Sequence, residues 1–163
     1  MSINKEKLEQ KIGEALGLEM AAQKAVDELS AKGLLDEAGM KNRLQTMRKQ
    51  ANTHQTDLEL LVQKLSKSEG LNSETIQESA NETEQKASQM MQIYLGDQPD
   101  ASEAIEFLCL AEGGEVSHYE VLSAIGRKVK DRKFSAKVKS ILAEEKRHLQ
   151  LCIQLAKKVA IQS

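Results

Sequence analysis

The stretch VKSILAEEKRHLQLCIQLAKKV, residues 138–159, places apolar side chains at Val138, Ile141, Leu142, Cys152, Leu155 and Val159. Steps of three and four residues make the apolar stripe of an amphipathic helix. Two positions in the middle of that stripe are polar, Glu145 and His148. Residues three apart share a helix face, so a carboxylate and an imidazole are presented together to whatever the stripe packs on. The Glu-x-x-His pattern is common by chance. Its place inside an apolar stripe makes it more specific.

Three other long segments carry the same anomaly. Residues 5–32, with Asn4 as cap and Gly33 as stop, have the stripe Ile12, Ala15, Leu16, Glu19, Ala22, Val26, Leu29. Residues 37–66, capped by Asp36 and closed near Gly70, have Leu44, Met47, Ala51, His54, Leu58, Leu61, Val62, Leu65. Asp100 with Glu103 resembles a capping box and opens a helix to about residue 130, with Ile105, Leu108, Glu112, Glu115, Tyr119 and Leu122 on its stripe. The last helix spans residues 134–161. A fifth segment, residues 74–95, has a thin stripe and ends at Gly96, where Gly96-Asp97-Gln98-Pro99 is the clearest break in the chain. Long amphipathic helices with short joints form antiparallel hairpins. The reading is an all-α single domain over residues 1–163, with a hairpin at 5–66, a crossover helix at 74–95 and a second hairpin at 101–161.

Composition agrees with helix. Aromatic residues are 2% of the 163 residues, there is no Trp, and one proline is present. The 23 basic and 25 acidic residues are well mixed, so no face suited to nucleic acid stands out. The basic run 127–133 reads as a solvated helix end and turn. No apolar run is long enough to span a bilayer, and no charged-then-apolar leader opens the chain. With Cys109 and Cys152 far apart as free thiols, the expectation is a cytoplasmic protein that binds neither membrane nor nucleic acid. The long exposed helix faces leave room for a homodimer.

In an antiparallel pair Glu112 falls level with His148 and Glu115 with Glu145, while Glu19 faces His54 in the first hairpin. Six ligand-type residues therefore share one depth: Glu19, His54, Glu112, Glu115, Glu145 and His148. Burying several carboxylates without a cation costs several kcal/mol per ion, and a metal neutralises them most directly. Arginine or hydrogen bonds are the alternative compensation. Gly113-Gly114 lies between two of the acids at a cost of about 2 kcal/mol against alanine. A π-bulge, a close helix contact or a tolerated weak spot are the readings of that pair. Tyr119 and the cysteines read as core, and His118 as a rim residue.

Carboxylates from two helices plus Glu-x-x-His on the other two, with a long crossover, form the pattern of the ferritin-like superfamily, which the chain resembles. Glu19, His54, the Glu112–Glu115 pair and Glu145 with His148 match rubrerythrin and bacterioferritin motifs. His118-Tyr119-Glu120 and the helical crossover make the layout most similar to the YciF-type stress-induced members. The resemblance covers about residues 8–158. It implies a ferritin-like four-helix bundle of two antiparallel hairpins with an additional crossover helix, and iron or another divalent metal at the six residues. The chain departs from the pattern at Ala51, where a bridging glutamate is expected three residues before His54. Glu115 or Asp57 then compensates, or the site holds one metal or none. Two functions follow. One is a metalloprotein with di-iron or mono-metal oxidase or peroxidase chemistry in stress protection. The other is a metal-free bundle serving as scaffold or stress-related binding protein. In the first, the half built on Glu112, Glu145 and His148 is expected to hold metal more tightly than the half near Glu19 and His54.

Overall fold

Asn4 accepts a hydrogen bond from the Lys7 N–H and starts the first helix where the sequence places it. The computed structural model describes residues 3–37 and 39–162. It contains five helices: α1 Lys5–Ala31, α2 Met40–Ser68, α3 Ser73–Leu95, α4 Ala101–Gly126 and α5 Arg132–Gln162. The described residues form no strand. The capping box at Asp100 and Glu103 is present in both directions. None of the helices is long and apolar enough to cross a membrane.

Side-chain pairs give the helix directions. Arg48 grips Asp27 with two bonds of 2.6 and 2.8 Å while Glu19 meets His54, so α1 and α2 are antiparallel. Glu112 faces His148 and Glu120 pairs with Lys146 at 2.8 Å, so α4 and α5 are antiparallel. Cys152 meets Met47 and Lys137 meets Asp57, which makes α2 and α5 antiparallel too. The third helix behaves differently. Ser79 reaches the Gln10 carbonyl and Gln92 reaches Glu28, so α3 runs parallel to α1 and carries the chain back along it. Its thin stripe suffices because it covers one neighbour chiefly, α1.

That parallel contact is close because α1 offers glycine. A Cβ on Gly13 would lie 2.5 Å from Ser79 Cβ and 2.7 Å from the Ile76 carbonyl oxygen. A Cβ on Gly17 would lie 2.7 Å from Thr83 Cβ and would strike the Ala80 carbonyl. Backbone oxygens cannot swing aside as side chains do.

The core has two apolar clusters. One gathers Leu8, Ile12 and Leu16 of α1, Leu58 and Leu65 of α2, Leu122 of α4, and Phe134, Val138 and Ile141 of α5. The other gathers Val26 and Leu29, Leu44 and Met47, Ile105 and Leu108, and Cys152 and Leu155. Along every one of these four helices the expected polar residues fall between the two clusters. Cys152 is buried within the second cluster and Cys109 packs against it, as small hydrophobes do.

Three expectations are corrected. Asp36 does not cap α2: the helix starts at Met40 behind Gly39, whose φ of 80° lies in the left-handed region. The reason is Leu35, which is fully buried, so the chain turns inward before α2 can begin. Gly113-Gly114 forms neither a π-bulge nor a close contact; α4 is a continuous α-helix there, and a Cβ at either glycine meets nothing within 4 Å. Finally, α4 ends at Gly126, not near residue 130. Val129 is buried, and α5 begins early at Arg132.

The glycines therefore divide into two kinds. Gly17→Ala should lower unfolding free energy by about 1–3 kcal/mol by forcing α3 off α1. Gly113→Ala should raise it by about 0.5–1 kcal/mol, because nothing opposes the added methyl. Urea denaturation followed by circular dichroism measures both, and equal signs would contradict the packing described.

Candidate metal centre

All six sequence-identified residues are buried, and they come from four helices: Glu19 from α1, His54 from α2, Glu112 and Glu115 from α4, Glu145 and His148 from α5. Each occupies a stripe position, so helical periodicity alone turns it inward. The two apolar clusters lie on either side of this layer.

Glu145 is the centre of the layer. Its Oε1 lies 2.8 Å from His54 Nδ1, and its Oε2 lies 3.4 Å from His148 Nδ1. Glu19 Oε1 is 3.1 Å from the same His54 nitrogen and accepts a 2.9 Å bond from the Tyr119 hydroxyl. Glu112 Oε2 is 3.7 Å from His148 Nδ1. The two imidazoles lie with ring centres 5.8 Å apart, inclined by 28°. Both turn Nδ1 inward, and their outer nitrogens are held by α5 and α2. Glu144 Oε1 is 2.8 Å from His54 Nε2, and Gln50 Oε1 is 2.6 Å from His148 Nε2. A carboxylate or amide oxygen can only accept, so both Nε2 atoms carry the proton. Fixing one ring nitrogen in this way orients the other toward the interior, the usual outer support of a metal-ligating histidine.

Electrostatics divide the acids. Burial raises the Glu19 and Glu112 carboxyls well above their ordinary value, and the charge of Glu145 adds to it. Burial and the neighbouring charge of Glu112 raise Glu115. Burial also opposes ionisation of Glu145, but the imidazoles of His148 and His54 beside it outweigh that and hold this carboxylate well below the usual range. Burial pulls the His54 imidazole down, yet Glu145 and Glu19 overcome it and lift it to about 10. Burial pushes the Tyr119 phenol up, as does the charge of Glu19, which keeps it a donor. The layer thus rests on one firm ion pair, Glu145 with His54, among acids that resist ionisation.

Two sets of side chains have ligand atoms within 4.8 Å of one another: Glu19, His54 and Glu145, and Glu112, Glu145 and His148. Glu145 belongs to both. Glu115 belongs to neither, although it is buried beside them. Several inward oxygens have no hydrogen-bond partner: Glu19 Oε2, Glu112 Oε2, Glu145 Oε2 and both oxygens of Glu115. Buried acceptors of this kind are rarely left unmatched, and a cation matches several at once. Ala51 is buried one turn before His54 and brings no oxygen. Asp57 is engaged elsewhere, 3.3 Å from Lys137. His118 lies at the rim as expected, part-exposed and 3.5 Å from Glu14.

Sequence reasoning missed Glu144 and Gln50, and it assigned Tyr119 to packing alone. Tyr119 is fully buried, and its hydroxyl also bonds a site carboxylate. Comparison of the chain with protein-family models, with curated proteins and with solved structures finds no match in any of the three.

These shifts set the pH dependence of the metal-free protein. His54, raised from 6.5 to about 10, contributes stability that is complete below pH 6.5 and lost as pH climbs through 10. The raised carboxyls of Glu19, Glu112 and Glu115 act in the same direction from pH 4.5 upward. Glu145, being lowered, contributes above pH 4.5 and loses that contribution only in acid. The melting temperature of chelator-treated protein should therefore fall between pH 6.5 and 10. His54→Gln should flatten that slope, as differential scanning fluorimetry across a pH series would read.

Proposed function

We propose that the chain is a ferritin-like metalloprotein whose α1–α2 and α4–α5 hairpins, joined by α3 as crossover, hold one or two iron ions or another divalent metal. The observation that carries this reading is the sharing of Glu145 between two sets, each with two carboxylates and one imidazole. Carboxylate and imidazole together suit iron(II) as well as zinc or manganese. Glu19, His54 and Glu145 would hold one ion, and Glu112, Glu145 and His148 the other. Bound iron would supply oxidase or peroxidase chemistry with oxygen or peroxide, as in a stress-protective role. The chain's own residues prepare the site. Glu144 and Gln50 keep the inner nitrogens of the histidines aimed at the carboxylates. The proton that His54 Nδ1 shares with Glu145 and Glu19 stands where a cation would, so binding exchanges protons for metal. Tyr119 holds Glu19 in place and keeps a proton beside it.

The second reading is a metal-free scaffold. Its support is Ala51, buried at the position where a further bridging carboxylate would complete the set.

Anaerobic titration with iron(II) separates the two. Wild type should bind between one and two ions per chain, with the half built on Glu112, Glu145 and His148 filled more tightly, because Ala51 leaves the half near Glu19 and His54 one carboxylate short. Glu145→Gln should weaken both events by tenfold or more, since its carboxylate is common to them, whereas Glu19→Gln should weaken only the second. No binding by wild type would leave the scaffold reading.

Restoring a carboxylate by Ala51→Glu should raise the stoichiometry toward two and strengthen peroxide-dependent oxidation of a dye. Two equal tight sites in wild type would refute the asymmetry.

A further inference from the structure

A cavity of about 280 Å³ opens between α1, α3 and α4. Its walls are almost wholly apolar, with Leu18, Ala21 and Met91 among them. The room comes from small residues: Ala111 and Gly114 on α4 face the alanines of α1 across it. Gly114 has open space where its Cβ would stand. Leu110 and Met90 are exposed at 59% and 66% and mark the mouth, while Glu115, at 2%, marks the floor.

Lys24, Glu28 and His118, three of the charged or titratable groups lining this cavity, are matched, and Tyr94 packs its ring against Phe107. Lys24 pairs with Glu84, Glu28 accepts from Gln92, and His118 bonds the Gly114 carbonyl at 2.9 Å. Glu115 has no hydrogen-bond partner on either carboxyl oxygen, and it belongs to neither set of candidate ligands. An apolar chamber ending on a buried carboxyl with no hydrogen-bond partner has the chemistry of a small-ligand pocket, with a greasy wall for binding and one polar group for orientation.

We infer that the cavity between α1, α3 and α4 binds a small aliphatic molecule bearing a terminal hydrogen-bond donor, an alcohol or amine, with that donor on Glu115. The body lies along Leu18, Ala21 and Met91, and the mouth is at Leu110. The volume lies just below the roughly 300–1,000 Å³ typical of ligand pockets, which limits the guest to a small, slender molecule. A carboxylate head is rejected, because it would be buried beside Glu115 with the Glu145 carboxylate behind it and no cation to meet it. A partner's side chain could enter from Leu110 and Met90, so a second copy is the competing occupant. The depth of Glu115 and the shape of the chamber favour a slender molecule. This inference does not rest on metal binding, since Glu115 lies outside both candidate ligand sets.

The test uses the full chain, as purified and after chelation, with 1-octanol, octylamine, octane and octanoate as probes in calorimetry or fluorescent-dye displacement. Octanol and octylamine should bind saturably, at least tenfold more tightly than octanoate. Gly114→Leu fills the chamber without displacing a neighbour at its Cβ. It should weaken both probes by tenfold or more while the melting temperature is held or raised. Glu115→Leu should cost the donor-headed probes their advantage over octane, which separates orientation from mere greasiness. Saturable binding untouched by Gly114→Leu would place the probes elsewhere, and no saturable binding of either donor-headed probe would overturn the pocket outright. If Leu110→Lys dissociates a dimer in sedimentation while probes bind neither state, the cavity belongs to a second copy and the inference fails. Iron titration in parallel reports on the metal reading separately, so either can fail alone.

Discussion

One buried anion governs the interior. Glu145 sits at the middle of the helical assembly, with an imidazole nitrogen 2.8 Å from one oxygen and another 3.4 Å from the other. An isolated carboxylate at that depth would cost several kcal/mol even after relaxation. Its stability depends on His54 being held between α2 and α5, and His54 in turn depends on Glu144 for its outer nitrogen. Glu19 and Tyr119 then close the arrangement from α1 and α4. Four helices are thereby committed to one another through a single charge. Burial first, and the neighbouring charges second, keep Glu112 and Glu115 beside it from ionising.

The chemistry open to such a layer follows from what it lacks. It holds four buried carboxyl groups with at least one oxygen lacking a hydrogen-bond partner, Glu19, Glu112, Glu115 and Glu145. Arginine, the usual compensating residue for buried carboxylates, contributes to none of these contacts. Arg48 is spent on Asp27, and Arg147 lies near Glu144 on the exposed side of α5. A layer rich in acceptors, walled by hydrocarbon and anchored by outward-bonded histidines has a strong demand for positive charge. The cavity on the α3 side is the outward extension of the same imbalance, since its floor is one of the unmatched acids.

Much of this was legible in the chain, for a simple reason. A polar residue on an apolar stripe has to be buried if the helix packs at all, so Glu19, His54, Glu112, Glu115, Glu145 and His148 announced themselves. Glu144 did not, because it lies one residue off the stripe and reaches His54 only through the way α5 meets α2. Gln50 was hidden likewise, beside a histidine 98 positions later. The role of Gly13 and Gly17 was invisible because a glycine's value there is set by α3, whose own pattern is weak. Gly113 and Gly114 misled because the same residue type that permits a close approach can instead leave a space. Asp36 misled because local capping chemistry gave way to burial of Leu35.

The polar layer also acts as a key for alignment. The apolar stripes on either side of it are chemically similar, and leucine, valine and methionine tolerate sliding. A slip of one helical turn along α5, about 5.4 Å, would leave hydrocarbon contacts largely replaced by others of their kind. It would also carry Glu145 away from His54 and into the leucines, leaving an unpaired charge on both helices. The misaligned forms are thus penalised by charge where grease alone would barely distinguish them. The same residues that make the centre expensive to bury therefore give the helices one axial setting, whatever ion or proton they hold.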